Sequence, residues 1–166
     1  MSEPDATSGP ARSPAPLYLE DYDAEFELSG GRYPVSEAEI LEFGRRFDPQ
    51  PMHNDPVAAA DGPFGGLVAP GVLTFAIRSA LYNQLPGRPV LVAGLGVDRM
   101  DLPHPVRPGD VLSIRIQALE SRRSRSRPDT GIVTLEQTVL NQDGDTVLSM
   151  ASKMIVRARE TGADAD

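Results

Sequence analysis

The chain has no cysteine, which excludes disulfide staples, a thiolate nucleophile and a sulfur-ligated zinc. Histidine occurs twice, as His53 and His104, too few for a multi-histidine metal centre, and no metal is expected. Basic side chains are also scarce: 16 stand against 24 acidic ones, leaving a net charge of −8 and a pI near 4.7. That balance argues against a nucleic-acid-binding surface. Long apolar runs are absent as well. The longest, Val72 to Leu81, contains Arg78 and is too short to cross a bilayer. Residues 1–16 carry Glu3, Asp5 and several prolines but no basic start followed by an apolar stretch, unlike a secretory signal. The expectation is a cytoplasmic protein without membrane or nucleic-acid partners. Neither common glycine-rich phosphate loop occurs, so no nucleotide cofactor is indicated.

What is present fits one folding unit of 166 residues. Residues 1–16 and 158–166 read as flexible arms, because their composition offers little to bury against the entropy of ordering. Residues 17–157 form the domain. A strand is expected over Ala24 to Leu28, then a turn at Gly30-Gly31. Ser36 reads as a helix N-cap with Glu39 completing a capping box, and Ile40, Phe43 and Phe47 follow at helical spacing. Pro49 and Pro51 end that helix. Asp48 thus stands at a helix exit, and His53 in a loop constrained by two prolines. Asp55 caps a short helix beginning at Pro56.

The segment 72–84 is too apolar for a half-exposed helix and is expected to lie largely enclosed by a sheet. Strands are expected over Val90 to Val97, Leu112 to Ala118, Val133 to Val139 and Thr146 to Val156, with turns at 107–110 and 141–145. The economical architecture is α+β, an antiparallel sheet bent around the apolar helix.

Three segments in order now carry a resemblance: Tyr33-Pro34-Val35-Ser36, then Phe47-Asp48-Pro49-Gln50-Pro51-Met52-His53-Asn54-Asp55-Pro56, then Phe64-Gly65-Gly66-Leu67-Val68-Ala69-Pro70-Gly71. Pro105 to Asp110, Ser124 to Pro128 and Asn141 to Gly144 extend it. Together they resemble the MaoC-like dehydratases, which include R-specific enoyl-CoA hydratases. The resemblance implies a hot-dog fold, a curved antiparallel sheet around one long helix, and a homodimer or a dimer of dimers. It implies that Asp48 and His53 carry the chemistry and that the Gly71 N–H meets the thioester carbonyl. Gln50 stands where the family often has asparagine, and Pro70 where it often has histidine or serine.

Hydration of a 2-enoyl thioester needs a water activated to attack C3 and a proton delivered to C2. A carboxylate and an imidazole suit these tasks near neutral pH. Asp48 is assigned mainly to water activation, and His53 to positioning and proton delivery. The plainer readings are that Asp48 terminates a helix and His53 fixes a turn. Gln50, Met52, Phe64, Gly66, Leu67 and Phe75 are candidate substrate contacts, with core packing as the alternative for the apolar ones. Coenzyme A is the expected acyl carrier, and Arg99, Arg107, Arg125 and Arg127 are candidates for its phosphates. His104, between two prolines, reads as a turn or surface residue. The competing functions are a hot-dog thioesterase and a noncatalytic acyl-binding subunit. Residues 72–85 contain no Asp or Glu, which argues against the first.

Overall fold

A computed structural model of the protein describes residues 14–160; residues 1–13 and 161–166 lie outside the described residues, and with them most of both expected arms. Among the described residues, seven strands and four α-helices appear in the order β1 (Ala15–Leu17), β2 (Glu27–Pro34), α1 (Glu37–Phe47), α2 (Pro51–Asn54), α3 (Pro56–Ala60), α4 (Gly71–Tyr82), β3 (Gly87–Pro89), β4 (Leu91–Asp101), β5 (Val111–Arg123), β6 (Thr130–Leu140) and β7 (Thr146–Arg157), with one 3-10 turn at Leu19–Asp21. Five strands form one sheet in the order β2-β5-β6-β7-β4, every pairing antiparallel. The α+β architecture expected from the sequence is therefore present.

The core follows from period-two alternation on the strands meeting one face of α4. Leu73, Ile77 and Leu81 pack with Leu112, Ile114 and Ile116 of β5, Val139 of β6 and Leu148 and Met150 of β7. Full burial of each such aliphatic side chain contributes about 2 kcal/mol. The helix is less enclosed than its composition implied. Val72 is 55% exposed and Ala76 is also on the surface, so one side of α4 remains open.

Several local expectations need correction. Gly30-Gly31 is not a turn: β2 runs straight through it, with the register against β5 shifting between Gly30 and Tyr33. Gly31 has φ +77, and a Cβ there would press on Leu81 at 3.0 Å, so this bulge brings the strand close to the end of α4. Ser36 Oγ accepts the Glu39 N–H as expected, but the Glu39 carboxylate accepts the Tyr33 hydroxyl instead of returning to the cap.

Residues 15–16 and 158–159, expected to belong to the arms, are docked on the domain. Ala15–Leu17 pairs in parallel with Gly87–Pro89, a contact across more than seventy residues that no local pattern announces. At the other end Ala158 is buried, and Arg159 binds the Asp21 carboxylate through Nη2 at 2.6 and 2.8 Å.

Candidate active site

Helix α1 carries the first catalytic candidate to its place. Its C-cap is Asp48, in a non-helical conformation before Pro49, with its N–H donating to Gly44 O at 2.9 Å. Gln50 Nε2 donates to Asp48 Oδ1 at 2.9 Å, leaving Oδ2 free to turn toward His53. His53 is not in a loop. Pro51 occupies the first position of the one-turn helix α2, where its missing N–H costs nothing, and His53 lies within that turn.

Glycine at position 44 permits this arrangement. A Cβ there would overlap the backbone carbonyl of His53, so α2 seats directly on α1 only because Gly44 has no side chain. Sequence reasoning passed over it, although a glycine inside an amphipathic helix is a recognisable sign of close backbone approach.

His53 is 6% exposed and is held through Nδ1. Nδ1 lies 2.7 Å from Val68 O, and a carbonyl only accepts, so Nδ1 carries the hydrogen. In the neutral ring, Nε2 is then an acceptor. It lies 3.6 Å from Asp48 Oδ2, too far for a direct hydrogen bond and suited to two acceptors sharing the hydrogens of one small molecule.

The segment that binds His53 also delivers Gly71. Val68 N donates to Met52 O at 3.0 Å and Ala69 N to Val106 O at 2.8 Å, so this segment is tied on both sides before α4 begins. Pro70 contributes its carbonyl, which accepts from Leu73 N and Thr74 N. As the first residue of α4, Gly71 has an N–H without an intrahelical acceptor.

These elements enclose a cavity of about 260 Å³, whose lining includes Met52, His53, Phe64, Gly71, Thr74 and Val147, with Leu102 to Val106 on the opposite side. Of the candidate contacts, the structure thus brings Met52, His53, Phe64 and Gly71 to one space. It does not do so for the others. Leu67 is buried in the main core, and Phe75 packs partly against that core beneath Arg78. The Gln50 amide is engaged with Asp48. Gly66, with φ +155, lies beside Arg107.

The four candidate arginines separate in the same way. Arg107 Nη2 donates to the carbonyl of the cavity residue Phe64 at 2.8 Å, which places it at the rim. Arg99 is paired with Asp101 and Glu136. Arg125 and Arg127 lie exposed in the connection between β5 and β6. Two polar residues outside the candidate set also line the cavity. Thr74 is buried one turn into α4, and His104 is held by Nδ1 against Thr146 O at 2.9 Å. His104 reaches the cavity because Leu102 to Val106 runs alongside the Ala69 segment, a pairing that its two flanking prolines do not reveal.

Known proteins resemble this chain in sequence and fold. The family model described as a MaoC like domain matches residues 25–141. The uncharacterized protein YdeM of Bacillus subtilis is 34% identical over 110 residues, covering 65% of this chain and 76% of its own length. The crystal structure of a MaoC-like dehydratase from Rhodospirillum rubrum is 39% identical, covers 86% of this chain and 98% of its own, and superposes with a TM-score of 0.79. An R-hydratase from Pseudomonas aeruginosa, PhaJ1, shares the fold at 22% identity, covering 85% of this chain and 86% of its own, with a TM-score of 0.66. The chain belongs to the MaoC-like dehydratase family and has its hot-dog fold.

Proposed function

We propose that the protein reversibly hydrates a 2-enoyl-CoA to a 3-hydroxyacyl-CoA, with one water held between Asp48 and His53. The observation that carries this reading is the presentation of two acceptors, His53 Nε2 and Asp48 Oδ2, 3.6 Å apart, on a corner that also delivers the Gly71 N–H. One water can donate one hydrogen to each acceptor. As its oxygen bonds to C3, one of its protons passes to the Asp48/His53 pair and the other stays on the new hydroxyl. The pair returns one proton to C2, and the site regains its starting state. The Gly71 N–H, at the positive end of α4, stabilises the charge that develops on the thioester oxygen. Running the steps backwards dehydrates a 3-hydroxyacyl thioester.

The twelve residues of α4 contain no acid, so the thioesterase alternative has no carboxylate on the helix to activate a water against the carbonyl. Arg107, at the rim beside Phe64, is the arginine assigned to a phosphate of coenzyme A. Two copies are assigned to pair along β4. Among the described residues this edge strand is paired only with β7, and it exposes Leu91, Val92, Leu95, Val97 and Met100, each 41–55% accessible. A cytoplasmic location completes the reading. The test is to incubate the purified protein with short, medium and branched 2-enoyl-CoA thioesters. The expected product is a hydroxyacyl-CoA one water heavier than the substrate; free coenzyme A appearing without it would favour hydrolysis and overturn the reading.

A further inference from the structure

The central helix carries a cation that the water site does not use. Arg78 is half-buried on α4, with its guanidinium carbon 4.7 Å from the centre of the Phe75 ring. Its Nη1 donates to Gln137 Oε1 at 3.2 Å, and Nε is buried without a partner among the described residues. Gln137, itself 4% exposed, spends its amide nitrogen on Ser152 Oγ at 2.7 Å, so its oxygen is committed to Arg78. The guanidinium is therefore built into the sheet and not left to wave in solvent.

Among the described residues no carboxylate lies within ion-pair distance of Arg78, whereas Arg99, Arg122, Arg123, Arg157 and Arg159 each have one. A partly desolvated cation without a counter-charge is costly, and an arriving anion offsets that cost. Burial already lowers the guanidinium's proton affinity.

Position identifies the anion. Gly71, Thr74 and Arg78 fall on one face of α4, and the first two line the cavity. Gly71 and Arg78 are about 10 Å apart along the axis, and stacking on Phe75 three residues earlier leans the guanidinium back toward Gly71. We infer that Arg78 receives a carboxylate at the far end of the acyl group, so that the substrates are short acyl thioesters with a free terminal carboxylate. The span fits a chain of roughly four to six carbons. This inference rests on the hydratase reading for the position of the thioester.

Binding and turnover separate the two claims. Glutaryl-CoA and valeryl-CoA are saturated five-carbon probes that differ at the distal end. By titration calorimetry the wild-type protein is expected to bind glutaryl-CoA at least about tenfold more tightly. That ratio should fall to about one or below in Arg78→Met and be partly retained in Arg78→Lys. A wild-type ratio near one overturns the inference even if the Met variant fails to fold, as does an unchanged ratio in a folded Met variant. So does a Met variant that becomes monomeric by light scattering with its ratio intact, since Arg78 would then serve a subunit contact. The unsaturated counterparts, glutaconyl-CoA and 2-pentenoyl-CoA, test the hydratase reading. Selective glutaryl-CoA binding without hydration of either enoyl thioester sinks that reading and leaves the receptor standing. Hydration of 2-pentenoyl-CoA as efficiently as glutaconyl-CoA sinks the receptor and leaves the hydratase.

Discussion

The corner built from α1, α2 and the Val68 segment differs sharply from strand β4 in how far a single chain completes it. In the corner, His53 is buried, its Nδ1 is bonded to Val68, and Asp48 is held through Gln50 and its own N–H. Along β4 every residue from Leu91 to Asp101 is exposed, and among the described residues one edge has no neighbouring strand. The open side of α4, at Val72 and Ala76, belongs with this unfinished part. The two catalytic candidates are thus positioned by bonds within the chain, whereas the edge at β4 is left open among the described residues.

Breaking the corner should have the largest effect. Gly44→Ala pushes a methyl group into the His53 carbonyl, and overpacking of this kind costs about 1–3 kcal/mol. Moving His53 by an ångström should lower kcat roughly 100-fold. Denaturant titration and turnover of a 2-enoyl-CoA measure the two effects. A Gly44→Ala protein with wild-type activity would show that the close seating of α2 on α1 does not set the site.

Breaking the edge should change assembly before chemistry. Val97→Lys places a charge on an exposed apolar position of β4, where charge blocks strand pairing. Light scattering should show the proposed dimer falling to a monomer, and an unchanged dimer would move the interface elsewhere. A smaller change is expected within the corner from Gln50→Ala, which removes one hydrogen bond to Asp48 and leaves the His53 anchor. Loss of about 1 kcal/mol of positioning corresponds to a roughly fivefold drop in kcat.

The smallest effect concerns the docked C-terminal residues, which belong to neither region. Burial would raise the Asp21 carboxyl, but the hydrogen bond from Arg159, that from Tyr18 N–H and the Arg159 charge outweigh it and hold Asp21 below its usual value. The unfolded chain then binds the proton more readily. The contribution of this pair to stability is present above about pH 4 and lost as pH falls through the folded-state value. Arg159→Ala should lower stability slightly at neutral pH and leave it nearly unchanged in acid, so that the acid-side loss in pH-dependent unfolding flattens.

Much of this was legible in the sequence, for identifiable reasons. Ser36 and Asp55 cap helices because their short oxygens reach nearby N–H groups, and Asp55 Oδ1 does accept from both Val57 and Ala58. The alternation in β5 is read directly as its buried Leu112, Ile114 and Ile116. Contacts between distant segments were not legible. The bulge at Gly31 needs the end of α4, the strand at Ala15–Leu17 needs Gly87–Pro89, and the place of His104 needs the Thr146 carbonyl. In the site, Asp48 and His53 were visible because one short segment holds both. Gly44 was readable as a glycine inside an amphipathic helix, whereas Thr74 and the engagement of Arg78 by Gln137 required the folded chain.

The turnover of folded Asp48→Asn and His53→Ala proteins with a 2-enoyl-CoA that the wild type hydrates tests the shared-water site most directly. Each substitution removes one of the two acceptors while sparing the Gly71 helix start, and kcat should fall roughly 10²- to 10⁴-fold in both. Hydration within about threefold of wild type in both variants, with circular dichroism unchanged, would contradict a water held between Asp48 and His53.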